Sequence, residues 1–121
     1  KPALDIELMN RSSAALLDYE DFECFAKAHS DVKTYNCKLY EASWERKGHV
    51  LSFTISADRF LRNMVRAVVG TLLEIGSGKR ADSDLSDIIA SKNRSEAGAS
   101  APAHGLFLQN IVYPKSILPH E

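Results

Sequence analysis

Residues 50–79 read VLSFTISADRFLRNMVRAVVGTLLEIGSGK, and the change of period inside this stretch decides the fold. Leu51, Phe53 and Ile55 alternate with Ser52, Thr54 and Ser56, the two-residue repeat of a strand with one buried face. From Asp58 onward Phe60, Leu61, Met64, Val65, Val68, Val69, Leu72 and Leu73 recur at three- and four-residue spacing, which predicts a helix lying on a core. A strand is therefore expected to run directly into a long helix. GSGK at 76–79 stops that helix, with Gly76 or Gly78 as the left-handed cap and Lys79 and Arg80 near the negative end of its dipole. The same four residues imitate a phosphate-binding loop, but Leu73 stands where its first glycine belongs and Arg80 replaces its Ser or Thr.

The face opposite the apolar stripe carries the chemistry. At about 100° per residue, Arg59, Arg62, Asn63, Arg66 and Gly70 fall on one line. Two readings stand side by side: a solvated charged face, or a line of planar, forked donors suited to a carboxylate or phosphate. Gly70 favours the second. A glycine inside a helix costs roughly 1 kcal/mol relative to alanine, so its presence suggests that another backbone or a ligand comes close.

Working outward, Tyr35, Cys37, Leu39, Tyr40 and Trp44 predict a strand over 35–46 whose alternation slips at Leu39 and Tyr40, as a bulge would make it. Lys47 and Gly48 turn the chain, so this strand and the next should pair antiparallel. Asp5 is the expected N-cap of an amphipathic helix holding Leu8, Met9, Leu16 and Leu17 and ending near Asp18. Phe22 and Phe25 suit a turn or two of helix plugging the core, broken by Ser30 and Asp31. Asp82 or Ser83 caps a short helix with Leu85, Ile88 and Ile89 facing inward. Residues 94–104 form a loop of small residues, and 106–113 a last strand closed by Pro114. The expected class is α+β: an antiparallel sheet made of a hairpin plus a C-terminal strand, with helices on one face.

A chain of 121 residues, 45% hydrophobic, supports one core. Its net charge of −1 gives no global field for a polyanion, so any nucleic-acid contact has to come from a local patch or from another part of an assembly. Cys24 and Cys37 form no metal or redox motif and are read as reduced thiols of a cytosolic protein. His29, His49, His104 and His120 share no metal spacing, and no metal is expected. No apolar run approaches the ~20 residues of a membrane helix. The start at Lys1 without a methionine, together with the open edges of a three-stranded sheet, leads to the expectation that the chain is a piece of something longer.

The segment ISADRFLRNMVRAVVGTLLEIGSGK, with APAHGLFLQNIVYP after it and DFECFAKAHSDVKT before it, resembles the C-terminal half of bacterial tRNA pseudouridine synthases of the TruA family. The resemblance covers nearly the whole chain, and its specific part is the combination of FLxNMVRxxVGxLLExGxGK with APAxGLxLxxVxY. It implies a pseudouridine synthase-like half with residues 1–121 as the C-terminal domain of a two-domain, cytoplasmic, homodimeric enzyme. Such an enzyme isomerises uridine to pseudouridine in the anticodon stem-loop of tRNA, at positions 38–40 by the family's tRNA numbering, without a cofactor. The family's catalytic Asp, in an RTDxGVHA-type motif, and its base-stacking Tyr belong to the N-terminal half. That motif is missing here, so the chain alone should be inactive.

By the same resemblance Arg66 is the basic residue that ion-pairs with the catalytic Asp. Leu106 is the apolar residue lining the uracil pocket, Gly105 belongs to the loop that brings it there, and Asn63 matches the Asn before Met-Val-Arg. Arg62 is a candidate phosphate contact. Lys33 with Thr34, and Lys27 with His29, are either a phosphate-contacting rim or a solvated loop, and Tyr40 and Trp44 are read as sheet packing. The alternative to the enzyme is a noncatalytic RNA-binding or dimerisation module of the same fold. In that case the cations should spread over a surface, whereas a catalytic half should aim Arg66 into a cleft.

Overall fold

A computed structural model describes residues 3–28 and 31–101, together with the backbone of 111–112. The elements are α1 (Ile6–Ala15), β1 (Leu39–Lys47), β2 (Val50–Ala57), α2 (Met64–Gly76), α3 (Leu85–Ser91) and β3 (Ile111–Val112), with short 3-10 turns between them. This is an α+β arrangement built on one antiparallel hairpin.

The hairpin forms as the alternation indicated, although its first strand begins at Leu39, later than the expected Tyr35, and Asn36 makes only an isolated bridge to Asp21. Lys47 pairs with Val50 across Gly48 and His49, and Gly48 takes φ 61. The register slips between Leu39 and Glu41, which is the bulge the broken alternation predicted. Trp44 faces Phe53 across the strands with ring centroids 4.5 Å apart, and its indole Nε1 donates to the Ser13 hydroxyl at 2.9 Å. That contact seats α1 on the sheet. The Asn10 side chain reinforces it, accepting from the Trp44 amide at 2.6 Å and donating to the Trp44 carbonyl at 3.1 Å. A side chain thus takes the two backbone hydrogen bonds that a neighbouring strand would make at this side of β1.

Between β2 and α2 the structure departs from the expectation. The helix begins at Met64, not at Asp58, and residues 58–63 are a turn. Asp58 pairs with Lys38 through its amide and its carboxylate, at 3.0 and 2.9 Å. Asn63 takes φ 66, a left-handed conformation that Asn tolerates better than most residues and that cannot continue a helix. Leu61 is buried through this turn, so the apolar spacing holds without helical hydrogen bonds. Spacing reports burial, and it misled here about the backbone.

Within α2, Met64, Val68, Leu72 and Ile75 are all but fully buried and form the centre of the core with Met9, Leu16, Phe22 and Phe25. The helix closes with Gly78 at φ 84: the Lys79 amide reaches the Glu74 carbonyl at 2.9 Å and the Gly78 amide reaches that of Ile75 at 3.1 Å, a Schellman cap. Gly76 serves a different purpose, since a Cβ there would overlap the Met9 side chain of α1. Asp5 caps α1 by accepting from the Leu8 amide at 3.0 Å. Leu85, Ile88 and Ile89 of α3 face inward as their spacing indicated.

The third strand differs from the expectation of an all-antiparallel sheet. Of residues 106–113, only Ile111–Val112 are described, and they pair parallel with Ser56 and Ala57 of β2. Parallel neighbours need a crossover connection, and the segment between β2 and β3, which includes α2 and α3, is long enough to supply one.

Cys24 and Cys37 are free and buried. Burial pushes the Cys24 thiol from an ordinary 9.0 up to about 12 and the Cys37 thiol up to about 11, against the opposing pull of Arg94 and Arg59 respectively. Two outcomes are expected. Iodoacetamide at pH 8 should leave both thiols unmodified in the native protein and label both once it is unfolded. Because the folded protein holds these protons more tightly, the stability tied to them is fully present below pH 9 and declines as pH rises through the thiols' folded range, measurable as a falling urea midpoint.

Candidate active-site half

The site is assembled at the start of α2 by a strap, residues 94–101, that runs back along the helix. Gly70 admits it: a Cβ there would overlap the Ala99 carbonyl and stand 3.1 Å from the Ala101 amide nitrogen. The backbone approach inferred from a helical glycine is therefore present, and the close neighbour is this chain's own strap. Further along, the buried Thr71 hydroxyl accepts from the Gly98 amide at 2.9 Å. At the far end Arg80 pairs with Glu74 at 3.0 Å and donates to the Glu96 carbonyl at 3.2 Å.

Arg66, half-buried in the first turn of α2, is bound to the strap twice. Its Nε donates to the Ala101 carbonyl at 2.9 Å, and its own carbonyl accepts from the Ala101 amide at 3.0 Å. The side chain is therefore fixed at Nε, and among the described residues its two terminal nitrogens have no hydrogen-bond acceptor. The first turn of α2 holds no acidic residue, and no side chain caps its end. A guanidinium at the positive end of a helix dipole is unfavourable by itself and favourable once a carboxylate or phosphate arrives.

Asn63, the residue before α2, donates from Nδ2 to the Ser100 hydroxyl at 2.8 Å. Arg62 is exposed, and its carbonyl accepts from the Lys27 amide at 2.9 Å. Arg59 is turned away, donating to the Thr34 and Asn36 carbonyls at 3.0 and 2.9 Å. The expected line of Arg59, Arg62, Asn63, Arg66 and Gly70 thus does not exist as a helical face, because only Arg66 and Gly70 lie in the helix. The structure brings Arg66 and Asn63 together on one strap and leaves Arg62 beside them. Leu106 and Gly105 lie outside the described residues. Sequence reasoning missed Arg94, Ser100 and Thr71, whose roles rest on contacts from 6 to 37 residues apart with no periodic signal. Among the described residues there is no cluster of His, Cys, Asp and Glu fit for a metal, and no helix is long and apolar enough to cross a membrane.

Residues 15–114 match the family described as tRNA pseudouridine synthase. A tRNA pseudouridine synthase A of Parabacteroides distasonis is 50% identical over 118 residues, covering 98% of this chain and 47% of that protein. Those of Porphyromonas gingivalis and Bacteroides fragilis are 53% and 51% identical, each covering 94% of this chain and 46% of theirs. The chain spans about half the length of the relatives it matches. On a match through both the hairpin and the α2 strap, the chain belongs to the tRNA pseudouridine synthase family.

Proposed function

We propose that this chain is the C-terminal half of a cytoplasmic tRNA pseudouridine synthase and that Arg66 supplies the cation facing a nucleophilic Asp on the N-terminal half. The observation that carries the reading is the mounting of Arg66: its Nε is occupied by Ala101 and, among the described residues, nothing accepts from its terminal pair of nitrogens, which suits a carboxylate approaching end-on. A carboxylate in a closed pocket tends to take up a proton, and an opposite charge a few ångströms away keeps it ionised. An ionised Asp can then attack the uridine, at base or sugar.

The reaction balances without a cofactor. The N1–C1′ bond of uridine breaks, the uracil turns, a C5–C1′ bond forms, and the C5 proton passes to solvent while N1 gains one. What this half contributes is charge and position. Asn63 holds the start of α2 beside the strap through Ser100, the exposed Arg62 is assigned to a phosphate, and Leu106, with Gly105 in the loop before it, is assigned to the uracil pocket on the resemblance alone. The substrate is the anticodon stem-loop of tRNA at the family's positions 38–40, and the enzyme works as a homodimer.

Tritium release from tRNA carrying 5-tritiated uridine tests the reading. The full-length synthase should release tritium, and this chain alone should release none while folding normally. Release by the isolated chain would show that the nucleophile lies within it. A full-length protein that binds tRNA but releases nothing would favour the noncatalytic RNA-binding module.

A further inference from the structure

Two further side chains, Ser100 and Arg94, stand behind the mount of Arg66, are linked to Asn63 and have no part in the chemistry just described. The Ser100 hydroxyl accepts two hydrogen bonds, from Asn63 Nδ2 at 2.8 Å and from Arg94 Nη2 at 2.7 Å. Arg94 also donates through Nη1 to the Gly98 carbonyl at 2.9 Å. One guanidinium thus spans the bend of the strap, and a single hydroxyl joins it to the residue that precedes α2.

The position of Ser100 gives this latch its significance. It is the neighbour of Ala101, whose carbonyl holds Arg66 Nε and whose amide holds the Arg66 carbonyl. Asn63, at the other end of the latch, is the left-handed residue from which α2 starts, three positions before Arg66. Both sides of the Arg66 mount are therefore tied to one hydroxyl, which uses both of its acceptor lone pairs. Hydrogen bonds from a guanidinium are about twice as strong as neutral ones. If the latch opens, the strap is held near Arg66 only by the Ala101 amide and by the Gly98–Thr71 bond, and the partner of Arg66 Nε is less firmly fixed.

Building on the assignment of Arg66 above, we infer that Arg94 and Ser100, with Asn63, are positioning residues that set the direction of the Arg66 guanidinium toward the incoming carboxylate. A displacement of about 1 Å at a reacting group can cost on the order of a hundredfold in rate. The latch therefore acts on the chemical step through Arg66 and leaves tRNA affinity alone.

A double-substitution cycle in the full-length synthase distinguishes this role from a general contribution to folding. Arg94→Ala should slow single-turnover tritium release by about tenfold to a hundredfold, with tRNA affinity unchanged and Arg94→Lys recovering part of the rate. In an Arg66→Ala background the same substitution should change the rate by less than about twofold, because nothing is left to position. Equal losses in both backgrounds would overturn the inference and give Arg94 an independent structural or RNA-contacting role. If Arg94→Ala does not fold, Asn63→Gly supplies the same test, since glycine keeps the left-handed backbone and removes the side chain that donates to Ser100. An unslowed Arg66→Ala would overturn the reading of Arg66 and this inference with it. A slowed Arg66→Ala beside an unaffected, folded Arg94→Ala would overturn the latch alone.

Discussion

Arg66→Ala in the full-length synthase is expected to slow single-turnover tritium release by about 10²–10³-fold, the range for losing one preorganised charged donor, while tRNA binding changes little. The reason lies in where the side chain is anchored. Ala101 holds Nε at 2.9 Å, so the guanidinium is oriented before substrate arrives and needs no reorganisation when the charge it faces develops. Arg66→Lys should recover little of the loss. An ammonium keeps the charge, but it cannot hold the Ala101 carbonyl and face a carboxylate with a planar fork at the same time. The acidic limb of the pH–rate profile adds a direction. Without the cation the partner Asp takes up its proton more readily, so the limb should move to higher pH. A single-turnover rate in Arg66→Ala within twofold of the unsubstituted enzyme would dismiss the role.

Gly70→Ala separates the tertiary structure from the helix propensity that a sequence displays. Propensity alone predicts that alanine within α2 stabilises the protein by about 1 kcal/mol. The packing predicts the reverse. The new Cβ would meet the Ala99 carbonyl, a backbone atom of the strap that cannot step aside as the end of a long side chain could. Moving the strap outward weakens the Ala101–Arg66 pair and the bond between Gly98 and Thr71 together. We expect a net loss of about 1–3 kcal/mol, as for other overpacked sites, read as a lower urea midpoint. The rate should fall as well, because the strap is the mount of Arg66. A Gly70→Ala protein more stable than the parent would mean that the strap does not lie on α2 as described.

How much of this was readable in advance depends on the range of the interaction. The two-residue alternation around Phe53 and Ile55 gave the hairpin, and its slip at Leu39 gave the bulge, because a strand side chain records which face of the sheet is buried. The stripe from Met64 to Leu72 gave α2 and its place in the core for the same reason. Gly70 announced a close approach because its conformational cost needs a compensating gain, although nothing local said what approaches. Arg66 is proposed for the site through the resemblance of its motif.

The tertiary structure decided the remainder. Residues 58–63 carry helical spacing but form a turn, since Asp58 bonds to Lys38 and Arg59 to the carbonyls of residues 34 and 36 across the fold. Those partners lie more than 19 residues away, and no repeat along the chain encodes them. Ser100 and Arg94 look like ordinary loop residues until the strap is laid on α2, when they become the support of the guanidinium. The sequence by itself determined the apolar stripes of the hairpin and of α2, because burial imprints a period. Only the tertiary structure decided where α2 begins and what holds Arg66, because those hydrogen bonds join segments that the period does not connect.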